Sequence, residues 1–207
     1  MPVRTFKLPT REAIAEASEQ FGLDPETNIV EAALNDIFAR YPSNKDEAQV
    51  LLKVVTLNQF YSTQLPTRAP DRPNVFDVAR CIPGLGLDHA FKNASLDIVD
   101  RLSTVQFPGK RTISRFSFAT KYASWHRQDV YPIWDQNVQR YFSCLRKLHR
   151  DYWDRISEDF ILSGNWAYPQ FHGLMVRFRS HFGLDDVGFK DLDKFLWTYG
   201  APSTKEA

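Results

Sequence analysis

Apolar positions recur at three- and four-residue spacing along most of the chain, and strand-like alternation is nowhere sustained. Thr10 is placed to cap a helix over REAIAEASEQF, with Gly22 past its end. A second helix is predicted near 26–40, where Ile29, Ala32, Ala33 and Ile37 share core spacing; it stops before Pro42. Ser43 or Asn44 can cap a third, DEAQVLLKVVTLNQFYST, which is apolar on most sides at its centre, as a buried helix is. Three prolines make a loop of QLPTRAPDRPN (64–74). Short helices follow at VFDVARCI, around LDHAF and near 95–103, with IPGLG (82–86) read as an ordinary loop. Thr112 or Ser114 can open TISRFSFATKYASWH, and Asp135 stands where an N-cap belongs for QNVQRYFSCLRKLHR. Two more helices fit 168–182 and 188–198, and 201–207 reads as a flexible tail. The pattern predicts an all-α fold, a single helical domain over 1–200 in two lobes. Lobe A takes about 44–134, and lobe B about 10–42 plus 136–198.

Composition narrows the class. With 207 residues, 43% of them apolar, the chain can bury a real core and is not a disordered protein. No stretch approaches the ~18 consecutive apolar residues of a membrane span. The start, MPVRTFKLPTREAI, has no apolar run of the signal-peptide kind, so a cytoplasmic protein is expected. The only cysteines, Cys81 and Cys144, exclude a disulfide scaffold, a four-cysteine zinc site and a four-cysteine iron–sulfur cluster. The histidines show no metal-ligand spacing, and neither metal nor cofactor is expected. The net charge of +1 is unevenly placed: −4 over residues 1–100, +7 over 101–155 and −2 over 156–207. A basic central segment points to a polyanion partner, or to helices that pair with acidic ones elsewhere in the fold.

The most informative stretch is FSFATKYASWHRQDVYPIWDQNVQRYF (116–142). It reads as helix, short loop, aromatic–Pro–apolar–aromatic–Asp, and then Asn–Val–x–Arg opening a second helix. This segment resembles the helix-hairpin-helix superfamily of base-excision DNA glycosylases. YPIWDQNVQRYF is most similar to the catalytic-Asp segment of its mismatch-adenine branch, matching at Tyr131, Pro132, Ile133, Asp135, Asn137, Val138 and Arg140. KVVTLNQFYSTQL (53–65) resembles the family's early buried helix, with Gln59 as the matching glutamine. The departures are specific. FPGKR (107–111) stands where the family has its hairpin, but Arg111 replaces the second glycine, which would let backbone N–H groups approach a phosphate. IPGLG matches the hairpin pattern better but lies too far from Asp135.

The resemblance implies two helical lobes around a cleft and hydrolysis of a flipped base from double-stranded DNA by a monofunctional, monomeric enzyme. Asp135 would supply the carboxylate that stabilises the sugar cation formed as the base departs. An Asp at this place is also an ordinary helix cap worth ~1 kcal/mol. Lys121 is the second catalytic candidate, since bifunctional members carry a lysine nucleophile in the preceding helix. It lies 14 residues before Asp135, about one helical turn closer than the family's lysine. Ser117 falls nearer that place, as in the mismatch-adenine branch. Lys121 is equally readable as a surface lysine.

Trp125, His126, Trp134 and Ser117 are the expected base pocket, because a flipped base stacks on aromatic walls. With Phe, Tyr and Trp making up 14% of the chain, any one ring is as readily core. Lys110, Arg111, Arg115, Gln59, Asn137 and Arg140 are the expected DNA contacts. Two alternatives stand beside the enzyme: a non-catalytic DNA-binding module on the same scaffold, and a helical protein-interaction domain.

Overall fold

The computed structural model describes residues 6–111, 114–158, 160–162 and 166–200. Among these, the regular elements are helices: α1 (Arg11–Leu23), α2 (Pro25–Arg40), α3 (Glu47–Tyr61), α4 (Val75–Cys81), α5 (Leu87–Lys92), α6 (Asp97–Ser103), α7 (Phe116–His126), α8 (Gln136–Leu148), α9 (Arg150–Ser157), α10 (Tyr168–His181) and α11 (Phe189–Tyr199). The expected tail at 201–207 and the candidate cap Thr112 lie outside the described residues.

The chain divides into two compact units, Glu26–Tyr131 and a second made of Met1–Pro25 with Pro132–Ala207. The boundary differs from the expected lobes in two respects: α2 belongs with the middle of the chain, not with α1, and Pro132–Trp134 belong with the second unit. For α2 the cause is Phe38, which is buried on α2 and meets Tyr122 (5.8 Å), Trp125 (6.1 Å) and His126 (4.9 Å) of α7.

Within the middle unit, α7 is the central helix. Every residue from Phe118 to Trp125 is buried, including Thr120, Lys121 and Ser124. A helix buried all round must satisfy its polar side chains locally, and Thr120 does so by donating to the Ser117 carbonyl at 3.1 Å. α6 packs along α7, and α3 packs on α4. The expectation that α3 is buried on most sides is corrected. Val50, Val54 and Leu57 face inward, but Leu52, Val55 and Phe60 are exposed. Its cap also differs. Asp46 accepts from the Gln49 N–H at 2.9 Å, while Ser43 and Asn44 are drawn into a more distant network. IPGLG is no ordinary loop: Ile82–Leu85 form a 3-10 helix that runs on from α4, with Ile82 buried and Gly86 turning the chain at φ 70° into α5. α4 itself carries a reciprocal cap between Asn74 and Asp77.

In the other unit, α1 packs its Ala13, Ile14 and Ala17 face on α11, and Thr10 accepts from the Ala13 N–H at 3.1 Å. The core is aromatic. Tyr141 and Phe142 of α8 meet Phe178 of α10 (6.0 and 5.3 Å), and Tyr141 meets Phe195 of α11 (5.4 Å). The expected helix through Arg150 is broken at His149, where the backbone leaves helical geometry (φ −137°, ψ 64°). There the His149 ring stacks between Phe6 and Tyr152, both at 5.7 Å. The chain restarts as α9, which buries Trp153 against Phe142.

Candidate functional site

Asp135 closes the extended run after Pro132 and caps α8. Its Oδ1 accepts from the backbone N–H of Asn137 (2.9 Å) and of Val138 (3.1 Å). The carboxylate is therefore fixed at a helix N-terminus, where the peptide dipoles favour negative charge. The start of α8 is in turn fixed by the end of α11. Gly200 lies so close that a Cβ there would sit 2.3 Å from the Asn137 carbonyl oxygen. Asn137 acts here through its backbone, and Arg140 is exposed on the next turn. Trp134, beside the carboxylate in sequence, is half-buried among Trp166 (4.8 Å), Phe171 (5.0 Å) and Phe160 (6.1 Å) of the same unit.

In the middle unit, Lys121 is 3% exposed, so it is not a surface lysine. Its Nζ donates to Ser117 Oγ at 2.8 Å and lies 5.5 Å from the centre of the Tyr61 ring. Trp125, one turn further along α7, donates its indole N–H to Tyr61 Oη at 3.2 Å. Ser117, Lys121 and Trp125 thus share one helix face, gathered around Tyr61, which the sequence did not single out. Gln59, two residues before Tyr61 on α3, is exposed.

The turn between α6 and α7 holds FPGKR. Gly109 sits at φ 74°, a conformation that favours glycine, and the Arg111 backbone N–H donates to the Asp71 carbonyl at 2.8 Å. The three basic residues expected to meet DNA part company here. Arg111 is exposed. Lys110 forms an ion pair with Asp77, the carboxylate of the α4 cap. Burial raises the Asp77 pKa, but the Lys110 bond and the Asn74 N–H outweigh it, leaving Asp77 below the usual carboxylate range. Arg115 is buried, donates to the Val105 carbonyl at 2.6 Å and lies over the Phe107 ring. Its charge braces the turn from within, and desolvation lowers its pKa.

A polar cluster inside this unit was not foreseen. Lys53, fully buried on α3, donates from Nζ to the Tyr41 carbonyl (3.1 Å), the Ser43 carbonyl (3.0 Å) and Asn44 Oδ1 (2.7 Å), and faces His126 Nε2 at 3.3 Å. Tyr122 also donates to Asn44 Oδ1, at 2.5 Å. Asp88 accepts from Ser43 Oγ (2.9 Å) and from the Asn44 backbone and side-chain N–H groups (2.9 and 2.8 Å). Desolvation lowers the Lys53 pKa to about 8 against the pull of Asp88. His126 is pushed down to about 3 by burial and by the Lys53 charge. One signal in the sequence pointed here: Lys53 interrupts VLLKVV in the same inward register as Val50, Val54 and Leu57. Beside the cluster, α2, the end of α7 and residues 127–129 flank an open cleft of about 490 Å³ that His126 helps to line. Among the described residues no group of His, Cys, Asp and Glu is arranged to hold a metal ion, and no helix is long and apolar enough to cross a membrane.

Comparison with known proteins bears on the family. An uncharacterized protein of Haemophilus influenzae is 32% identical over 124 residues, covering 59% of this chain and 55% of the relative. The chain thus spans about half the length of the curated relative it matches. No solved structure matches it. The family HI_0787_N, described as an N-terminal domain, matches residues 12–130, which take in α1 and nearly the whole middle unit. That match covers more than half of the chain, and the chain belongs to the HI_0787_N family.

Proposed function

We propose that this chain is a DNA glycosylase of the helix-hairpin-helix kind, which flips a damaged, mismatched or modified base and hydrolyses its N-glycosidic bond. The observation that carries the reading is Asp135. It heads a Pro–x–x–Asp–x–Asn–Val segment and is held at the N-terminus of α8 by two backbone N–H groups. As the base leaves, positive charge builds on the deoxyribose, and a carboxylate fixed in advance stabilises that charge without reorganising. Water adds to the sugar, and its proton passes to a basic group or to solvent. The α6–turn–α7 arrangement supports the reading, with Gly109 in the positive-φ conformation. So does Lys121, a buried cation on the helix that precedes the Asp segment.

The partner in this reading is double-stranded DNA, bound by a monomer in the cytoplasm. Arg111, Gln59 and Arg140 are the exposed contacts, while Lys110 and Arg115 stiffen the turn that presents Arg111. A second reading, a DNA-binding module without chemistry, draws on the same two hydrogen bonds, because they suffice to make Asp135 a structural cap.

The experiment is excision on labelled duplexes carrying uracil, hypoxanthine, 8-oxoguanine or an adenine mismatch, read as strand cleavage at the abasic site by hot alkali. Cleavage by the wild type that Asp135→Asn loses, with duplex affinity retained, supports the enzyme. Salt-sensitive duplex binding without excision supports the module. No duplex binding at all removes both.

A further inference from the structure

The middle unit carries eight arginines, and five of them have partners. Arg40, Arg80 and Arg127 pair with Asp36, Glu47 and Asp129, while Arg101 and Arg115 donate to the Leu85 and Val105 carbonyls. The other three, Arg68, Arg72 and Arg111, are exposed and make no ion pair among the described residues. They come from two segments that the fold brings together. We propose that these three arginines form a side-chain clamp for the phosphate backbone of duplex DNA, taking over a grip that the backbone of the FPGKR turn does not offer. The inference rests on the DNA part of the reading above and needs neither Asp135 nor excision.

The loop between α3 and α4 is anchored at both ends. Asn58 of α3 donates to the Leu65 carbonyl (2.8 Å) and accepts from the Leu65 N–H (2.9 Å), and the Val75 N–H donates to the Pro66 carbonyl (3.1 Å). Pro66, Pro70 and Pro73 restrict the backbone between these anchors. In its middle the loop meets the turn before α7. The Arg111 N–H donates to the Asp71 carbonyl at 2.8 Å, and Lys110 Nζ reaches the Ala69 carbonyl at 3.5 Å. Arg68 and Arg72 flank these two contacts in sequence. Arg72 directly follows the Asp71 carbonyl, so covalent geometry puts its backbone nitrogen within about 5 Å of that of Arg111.

Two guanidinium groups rooted so close repel each other unless an anion lies between them. A phosphate there turns the repulsion into charge-assisted hydrogen bonds, and the planar fork of arginine matches phosphate oxygens better than a point charge does. Within the loop and the turn, the three free arginines face one exposed carboxylate, that of Asp71, because Lys110 is already paired with Asp77. The backbone of the turn is occupied: the Arg111 N–H is held by Asp71, and the Lys110 N–H donates to the Phe107 carbonyl at 3.1 Å. A protein partner fits this face less well. The exposed large apolar side chains described in this unit, Ile29, Leu52, Val55, Phe60 and Phe76, lie on α2, α3 and α4, and none lies on the loop or the turn. An apolar anchor, which protein interfaces need, is missing here.

The test measures binding of a labelled, undamaged duplex to the whole chain by fluorescence anisotropy, between about 50 and 200 mM salt. The triple variant Arg68→Gln, Arg72→Gln, Arg111→Gln is expected to bind about tenfold to a hundredfold more weakly at the low-salt end. Its slope of log affinity against log salt should be shallower by about 2, one phosphate being shared by Arg72 and Arg111 and one held by Arg68. Arg40→Gln, which removes a paired arginine of the same unit, should leave affinity and slope unchanged. Should the triple variant lose its helical circular dichroism, Arg68→Gln alone carries the test, with a slope shallower by about 1. Unchanged affinity and slope in the variant overturn the proposal, as does a wild type that binds no duplex. Arginine-dependent binding to phosphatidylserine vesicles without duplex binding also overturns it and assigns the face to a membrane surface. Excision with duplex affinity unchanged in the triple variant overturns the clamp and leaves Asp135 standing; arginine-dependent duplex binding without excision does the reverse.

Discussion

Lys53 Nζ and His126 Nε2 face each other at 3.3 Å inside the middle unit, a cation against an imidazole that has to remain neutral. Lys53 comes from α3 and His126 from the last residue of α7, 73 positions later. Their juxtaposition ties α3 to the end of α7, and through the Lys53 bonds to Tyr41, Ser43 and Asn44 it holds the turn at Tyr41–Asn44. It also makes the fold sensitive to pH from two directions.

In acid, His126 is the sensitive group. Its folded pKa of about 3 lies below the ordinary 6.5, so the stability it confers is fully present above pH 6.5. That stability is lost as pH falls from 6.5 toward 3, because the unfolded chain takes up the proton that the folded one refuses. Asp88 adds to the trend. Burial raises its pKa, but the bonds from Asn44 and Ser43 bring it below the usual value, and its protonation releases them. Urea midpoints measured from pH 7 to 4 should fall steadily in the wild type and less steeply in His126→Phe. Parallel slopes would mean that His126 titrates normally.

In alkali, Lys53 acts in the same sense, with stability rising as pH rises. Its folded pKa of about 8 lies below the ordinary 10.5, so the unfolded chain binds more protons between these values. Stability should therefore rise from pH 8 to about pH 10. Beyond that, buried tyrosines reverse the gain. Burial raises Tyr122 and Tyr141 well above 10 and Tyr131 to about 12, so their contribution is lost as the unfolded chain ionises. Lys53→Met should lower the midpoint at every pH, since it strips the donor from the Tyr41 and Ser43 carbonyls, and should abolish the rise. A rise that persists in Lys53→Met would have another source.

Gly200 tests how the head of α8 is held. A methyl group there would lie 2.3 Å from the Asn137 carbonyl oxygen and 2.4 Å from that of Leu196, both backbone atoms that cannot swing aside. Gly200→Ala should cost about 3 kcal/mol, at the upper end of ordinary overpacking. If Asp135 is positioned through this contact, any excision should fall by more than the loss of folded protein explains. Wild-type thermal stability in Gly200→Ala would refute the close approach.

What the sequence made legible was local. The caps at Thr10 and Asp135 were readable because a cap is written within four residues, and most helix centres followed from spacing. Ser43 and Asn44 misled for a non-local reason: Asp88 and Lys53 claim the side chains that would otherwise cap α3. The same holds for α2, whose place depends on Phe38 meeting a helix more than 80 residues away. The turn residues Lys110 and Arg115 look alike in a charge count. Only the partners Asp77 and Val105, distant or folded back, distinguish bracing charges from exposed ones. Of the candidate site, the face of Ser117, Lys121 and Trp125 was visible from helical periodicity, whereas Tyr61 and Lys53 needed the packing of α3 on α7.

Lys121 offers the sharpest chemical test. A lysine nucleophile would attack C1′ as the base leaves. Its amine and the opened sugar would then form an imine, which borohydride reduces to a stable protein–DNA adduct. Its contacts argue against that role: Nζ donates to Ser117 Oγ at 2.8 Å on its own helix and rests over the Tyr61 ring, 3% exposed, so it is held in place on α7. The expected outcome is therefore no trapped adduct under conditions where excision proceeds, with water as the nucleophile. Lys121→Ala should slow excision about tenfold to a hundredfold without eliminating it, by removing a side chain that in this reading holds a phosphate. Lys121→Arg should recover part of the loss if charge is what matters. A borohydride adduct that forms with the wild type and is absent from Lys121→Ala would instead make Lys121 the nucleophile and the protein a lyase.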